Sequence, residues 1–300
     1  MQRDRILISC SPRLPSGSGG RVSRNVTRTT DRESMIARFR GHFTDMNERL
    51  TIAALQQMRR DRRKIVGVVV YDYQMAQLAD RAGVDLVSVG DSVGVNVWGH
   101  ASETEITIDQ MALVCGAVRR GVTRALVSCD LPVAPLQAGR ASAVAAAQRL
   151  VAEGADLVKV DVGASSVDTV RAVVGAGIRV WAQFGTDGGA PMVDQLVGEA
   201  KRLEGAGASL LDFRYSGPVA GPEVVRAVNI PVIGGLGGGP WLDGRVRALV
   251  PALGCVASAV DDPADRYANI ALTMLNAIQA LCEDVRAGRP LRGAAPAARS

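Results

Sequence analysis

Residues 156–163 read DLVKVDVG, and two other segments share the design: DLVSVGDS at 85–92 and RALVSCDLP at 124–132. Each is a short β-rich apolar run closing on a carboxylate (Asp161, Asp91 and Asp130) before a loop and a helical pattern. Parallel α/β proteins present catalytic groups in this way, at one rim of the sheet. Carboxylates gathered from separate strands repel one another unless a cation or proton neutralises them, and hard oxygen donors suit magnesium (Mg2+) best. A metal site at Asp91, Asp130 and Asp161 is the first expectation.

Working outward, strand-like runs recur at IVGVVV (65–70), DLVSV (85–89), RALVSC (124–129), DLVKV (156–160), IRVWAQ (178–183), SLLDF (209–213), PVIG (231–234) and RALVP (247–251). Between them lie helical patterns such as QMAQLADRAG, ASAVAAAQRLVAEG and MVDQLVGEAKRLEGAG. Several stop at a glycine after a charged last turn, as at Gly83 and Gly154. Eight βα units favour a single α/β fold, a (β/α)8 TIM barrel over residues 46–290 with C-terminal helices, rather than a doubly wound sheet.

Residues 1–45 form a basic arm rich in Arg, Ser, Gly and Thr without an apolar period. Such a segment buries too little surface to offset its ordering entropy, so disorder is expected; an amphipathic targeting or interaction arm is the alternative. The tail at 291–300 should be frayed.

Hydrophobic residues make up 47% of the 300 residues, enough for a large core. The net charge of +5 comes with only 4% aromatics, without the stacking platforms of single-stranded nucleic-acid binding, so no nucleic-acid partner is expected. Cys10, Cys115, Cys129, Cys255 and Cys282 contain no CxxC pair and read as reduced thiols, pointing to a cytoplasmic location. No run approaches the length of a membrane span, so no membrane partner is expected.

Parity assigns the side chains. Residues two apart on a strand share a face, so Val158 and Val160 turn towards the helices, Lys159 and Asp161 towards the barrel interior. Lys159 would hold the carboxylate of an anionic substrate; a structural Lys159–Asp161 pair is the competing account. On SLLDFR, Asp212 and Arg214 face inward and could pair with each other. Asp91 could instead cap a helix, and Asp130, before Leu131-Pro132, could be a turn residue. GGLGGGP (234–240) invites a phosphate-loop reading but matches neither standard nucleotide fingerprint. His42 and His100 leave little material for a histidine triad, and His100 reads first as a loop contact.

The order of motifs now carries a resemblance. Lys64, Tyr71-Asp72-Tyr73, DRAGVDLVSVGDSVG (80–94), Gly99-His100, AVRRG (117–121), CDLP (129–132), GADLVKV (154–160) and IPVIGGLGGGPWLDG (230–244) resemble ketopantoate hydroxymethyltransferases. The resemblance implies a barrel of the phosphoenolpyruvate/pyruvate class, often decameric, that acts on a 2-oxo acid with magnesium and methylenetetrahydrofolate. By the same resemblance Asp91 and Asp130 match metal-binding aspartates. Asp91, Ser92, Asp130 and Lys159 match substrate-binding positions, and Asp161 stands in for a metal-associated glutamate. A metal chelated by the keto oxygen and carboxylate would stabilise the substrate enolate that attacks the one-carbon donor.

The chain also departs from that pattern. Arg214 occupies the place of the family's general-base glutamate, and a guanidinium stays protonated near neutral pH. Gln183 replaces a histidine, and Asp212 faces inward a residue pair (~6–7 Å) deeper on its strand. Asp161, shorter than glutamate, would reach the metal through water. The catalytic candidates are therefore Asp212, Arg214 and Gln183. Three readings follow: a hydroxymethyltransferase whose base has moved to Asp212 or a water, an aldolase or lyase on another 2-oxo acid without folate, with an anionic acceptor on Arg214, or a catalytically silent binding or assembly barrel. In each case the protein is expected to be a homo-oligomer.

Overall fold

The structure, a computed structural model, describes residues 48–186, 192–235 and 238–293. The arm at 1–45, with Cys10 and His42, and residues 294–300 of the tail lie outside the described residues.

The apolar runs form eight strands: β1 Ile65–Val70, β2 Leu86–Val89, β3 Leu126–Asp130, β4 Leu157–Asp161, β5 Val180–Gly185, β6 Leu210–Arg214, β7 Val232–Gly234 and β8 Gly244–Ala248. All pair in parallel with their sequence neighbours, and β8 closes onto β1, with Ile65 opposite Gly244. Both faces of a parallel barrel are buried, which is why these strands read as continuous apolar runs.

The two faces carry different cores. Outward residues such as Val87, Val127, Val158, Ala182 and Phe213 are buried against the surrounding helices. Inward, one residue from each strand builds a single layer: Ile65, Leu86, Leu126, Leu157, Trp181, Leu210, Ile233 and Val246. Helix α1 (Ile52–Arg60) inserts Leu55 and Met58 beneath this layer and seals that end of the barrel. Each such side chain contributes about 1.5–3 kcal/mol on burial. Two residues further along the same faces come Ser88, Ser128, Lys159, Gln183 and Asp212, and two beyond those Asp130, Asp161 and Arg214. The stepping follows from strand periodicity, so the apolar floor fixes the height of every polar side chain above it.

The longer helices follow the sequence pattern, and the short α3 and α5 add to it: α2 Tyr73–Arg81, α3 Val93–Trp98, α4 Ile108–Gly121, α5 Val133–Gln137, α6 Arg140–Ala152, α7 Val167–Gly175, α8 Val193–Gly205 and α9 Ala220–Ala227. Gly83 and Gly154, the expected stops after α2 and α6, have φ of +84° and +107°.

The last strand differs from its expected position. RALVP was expected at 247–251, whereas β8 runs Gly244–Ala248 and Leu249–Ala252 is a short helix, α10. The outward residues of β8, Arg245 and Arg247, are exposed, so its outer face lacks the apolar covering that marks the other strands. The last helix, α11 (Ile270–Arg286), buries only Ala271 and Asp284 and exposes Met274, Ile278, Leu281 and Val285. Among the described residues no helix is long and apolar enough to cross a membrane.

Candidate active site

Lys159 stands at the centre of the carboxyl-terminal mouth. Its Nζ lies 3.1 Å from Asp212 Oδ2 and 3.5 Å from Asp130 Oδ2, and 5.2 Å from the centre of the Trp181 ring. The hydroxyl of Ser88 donates to the other oxygen of Asp130 at 3.4 Å. The lysine is therefore bracketed by carboxylates from β3 and β6. Burial opposes its charge, but Asp130, Asp212 and Asp91 outweigh that and raise its pKa. Asp130 responds oppositely: burial, joined by the charges of Asp91 and Asp212 and opposed by Lys159, brings its carboxyl up to about 7.

Asp91, at the end of β2, is half-buried, and burial raises its pKa against the pull of Lys159. The cap position of α3 falls to Ser92, which makes no side-chain capping bond, so helix capping is not the role of Asp91. The Ser92 hydroxyl is instead 2.9 Å from the Tyr71 hydroxyl, which also accepts from Asn96 Nδ2 at 3.3 Å. Gly90 permits this approach, since a Cβ there would lie 2.7 Å from Val69 and 3.0 Å from Ser92 Oγ.

Asp161 lies higher at the rim. Its Oδ1 accepts from the Gly163 amide at 2.8 Å, while Oδ2 is 3.9 Å from an Arg214 guanidinium nitrogen. The pairings left open by parity thus resolve crosswise: Asp212 meets Lys159, and Arg214 meets Asp161. Among the described residues neither a Lys159–Asp161 pair nor an Asp212–Arg214 pair is found. Gln183 sits between Asp161 and Asp212 in strand register, its side chain half-buried.

His100 behaves as the loop contact expected: its amide donates to Gly94 O, and its ring packs where a Cβ on Gly94 would lie 2.6 Å from Nδ1. Lys64 donates to the carbonyls of Pro240 and Leu242 and is structural. In GGLGGGP, residues 236–237 lie outside the described residues, and Gly239 is required by Trp241, whose ring would meet a Cβ at 2.3 Å.

Three contributors had no role in the sequence argument. Tyr71 stood in a quoted motif but its hydroxyl could not be directed to Ser92; Ser88 was visible only as the inward residue of β2; Glu103, whose charge adds to the rise at Asp91, opens the single 3-10 turn Glu103–Glu105 between α3 and α4. Strand parity could have found Ser88, while the other two depend on how loops fold over the mouth.

The donor set can be tested against a divalent cation. Among the described residues no three His, Cys, Asp or Glu side chains form a ready-made cage. Magnesium does not require one, since it is commonly held by one or two carboxylates with water and substrate oxygens. Asp91 and Asp130, both raised by burial and the second further raised by the charge of the first, fit that chemistry.

A family model described as ketopantoate hydroxymethyltransferase matches residues 49–290. The chain belongs to this family. It is 35% identical over 256 residues to the 3-methyl-2-oxobutanoate hydroxymethyltransferase of Hyperthermus butylicus, covering 81% of this chain and 88% of that protein. The enzyme of the same description from Cyanothece sp. is 36% identical over 253 residues, covering 79% and 96%. Among solved structures, 2,3-dimethylmalate lyase, a PEP mutase/isocitrate lyase superfamily member, aligns with a TM-score of 0.55 at 18% identity, covering 79% of this chain and 99% of that one. A phosphonopyruvate hydrolase complex with oxalate and Mg++ gives 0.54 at 12%, covering 83% and 91%. These two likenesses concern the fold; the family match makes the chain a hydroxymethyltransferase-type enzyme.

Proposed function

We propose that this family member carries out aldol-type carbon–carbon bond chemistry on a 2-oxo acid through its enolate, at the mouth formed by Asp91, Ser92, Asp130 and Lys159. The observation that carries the reading is the half-buried Lys159 ammonium bracketed by Asp130 and Asp212, beside the strand-end carboxylate of Asp91. Magnesium held at Asp91 and Asp130, with Asp161 acting through water, would polarise the keto oxygen and acidify the adjoining C–H. Lys159 stays cationic and attracts the substrate carboxylate, while the Ser92 hydroxyl, oriented by Tyr71, offers a hydrogen bond at the rim. The sealed floor and the Trp181 ring exclude water from beneath.

Arg214 cannot accept the substrate proton. Asp212 is the carboxylate proposed for that step, directly or through a water: its Oδ1 is buried without a hydrogen-bond partner among the described residues. Gln183, adjacent in register, would orient the acceptor or that water. Methylenetetrahydrofolate is the proposed one-carbon donor. The alternative, aldolase or lyase chemistry without folate, is favoured by one observation, the cationic Arg214 at the rim.

Incubation with 2-oxo acids and magnesium in D2O, followed by NMR of C3–H exchange and then by addition of methylenetetrahydrofolate, separates these. Exchange plus a hydroxymethylated product supports transfer; exchange alone supports the folate-free reaction. Absence of both leaves a binding barrel and overturns the catalytic reading.

The reading includes a cytoplasmic homo-oligomer. It is supported by free thiols at Cys115, Cys129, Cys255 and Cys282 and by the apolar face of α11.

A further inference from the structure

Ser92, Tyr71 and Asn96 form a triangle of polar groups beside the mouth, and its hydrogens can be placed by elimination. Asn96 stands one turn along α3 from Ser92, so the two share a helix face. Its Nδ2 lies 2.9 Å from the Ser92 carbonyl oxygen, an atom that only accepts, which fixes this end of the side-chain amide as the NH2 group. The same Nδ2 lies 3.3 Å from the Tyr71 hydroxyl. An amide NH2 donates and does not accept, so in this contact the phenol oxygen is the acceptor.

The phenol must then place its own hydrogen. Tyr71 is 5% exposed, and among the described residues the one remaining partner of its hydroxyl is Ser92 Oγ, at 2.9 Å. A buried O–H without an acceptor is costly, so that hydrogen goes to Ser92. Burial, opposed by the Ser92 bond and joined by the charges of Asp130, Glu103 and Asp91, raises the Tyr71 pKa, so the phenol keeps the hydrogen it donates. Ser92 Oγ therefore accepts on its Tyr71 side. Its own hydrogen is left for the mouth, where Ser92 is half-buried. In the opposite order Ser92 would donate to Tyr71 and meet a ligand with lone pairs alone, which repel the oxygens of an anion.

We propose that Asn96 is a positioning residue that, through Tyr71, fixes the Ser92 hydroxyl as a donor to the oxygens of the bound 2-oxo acid. The inference rests on the 2-oxo acid reading above and goes beyond it by naming what sets the direction of that bond. Asn96 is itself exposed on α3 and acts only through the phenol.

The test is calorimetric titration of the full chain with magnesium and 3-methyl-2-oxobutanoate. Ser92→Ala should weaken binding about tenfold, and Asn96→Leu about threefold to tenfold, the scale of one neutral hydrogen bond. Circular dichroism should be unchanged in Asn96→Leu, because the side chain is exposed. The effect of Asn96→Leu should fall below about twofold when it is added to Ser92→Ala or to Tyr71→Phe, since the three act as one unit. Asn96→Asp, which accepts where Asn96 donates, should turn the phenol round and weaken binding more than Asn96→Leu in ~0.5 M salt, which screens the added charge; Tyr71→Phe should remove that excess. An unchanged affinity in Ser92→Ala or Asn96→Leu, a full Asn96→Leu effect in the Ser92→Ala background, or an Asn96→Asp excess that survives Tyr71→Phe overturns the inference and leaves the 2-oxo acid reading standing. Failure of the acid to bind the unmodified protein overturns both.

Discussion

Asp212 Oδ2 lies closer to Lys159 Nζ than Asp130 Oδ2 does, 3.1 Å against 3.5 Å. The lysine is thus anchored from below by a carboxylate of β6 as well as from the side by β3. Its raised pKa makes it a permanent cation across the physiological range, suited to holding an anion rather than moving a proton. On the proposed reading the proton-accepting role falls to a carboxylate, and the buried Oδ1 of Asp212 leads to the first expected outcome.

Asp212→Asn should slow magnesium-dependent C3–H exchange of a bound 2-oxo acid by about a hundredfold or more, the usual contribution of a general base. Binding should survive, because Asp130 still faces Lys159. NMR exchange rates measured beside titration of the same acid check this; unchanged exchange would remove Asp212 from the mechanism.

Arg214→Glu should create or increase hydroxymethyl transfer from methylenetetrahydrofolate to 3-methyl-2-oxobutanoate, since a carboxylate at the end of β6 can take a proton and a guanidinium cannot. Product formation by mass spectrometry is the readout. Asp161, 3.9 Å from the present guanidinium, would then face a like charge, so the variant should also lose some stability.

The contribution of Asp130 to the stability of the metal-free protein should fall as pH rises from about 4 to about 7, which a comparison with Asp130→Asn isolates. The carboxyl of Asp130 is raised to about 7 by burial and its neighbours, so the folded state binds more protons than the unfolded chain in that window. Stability from this group is full below the unfolded carboxyl pKa and is lost as pH passes the folded one. Asp91, also raised by burial, acts with the same sign. Thermal melts in a chelator should show the decline, and Asp130→Asn should flatten it.

Gly185→Ala should destabilise the protein by about 2 kcal/mol or more, lowering the melting temperature by roughly 4–8 °C, because the position combines a left-handed φ of +139° with a Cβ only 2.2 Å from a carbonyl oxygen. Calorimetry checks the size.

Ile278→Glu, placed within the Met274–Ile278–Leu281–Val285 stripe of α11, should lower the assembly mass measured by light scattering and leave the circular dichroism of the barrel intact. An unchanged mass would remove this face from the proposed homo-oligomer.

Much of the barrel was legible because a parallel strand buried on both faces has little choice of composition. LVKVD and LVSCD could be read as strands, and their parity correctly turned Lys159 inward. β8 was misplaced for the same reason reversed: GRVRA exposes two arginines on its outer face, while the neighbouring LVPA is apolar enough to imitate a strand. The pairings at the mouth were not legible. Whether Asp212 meets Arg214 on its own strand or Lys159 two strands away depends on the curvature of the closed sheet, which no local pattern encodes. The Tyr71–Ser92 contact likewise requires the turns after β1 and β2 to meet over the rim.

The floor of the barrel has one last consequence. With Leu55 and Met58 plugging it under an unbroken ring of apolar side chains, the chamber around Lys159 is closed at that end among the described residues and opens at the carboxyl-terminal mouth. The partner that sits deepest must enter before the one that sits above it, and the product must leave by the route its precursors took. Order of arrival and departure should then be imposed by geometry, giving ordered rather than random binding, with the 2-oxo acid, seated deepest, entering first and the product built on it leaving last.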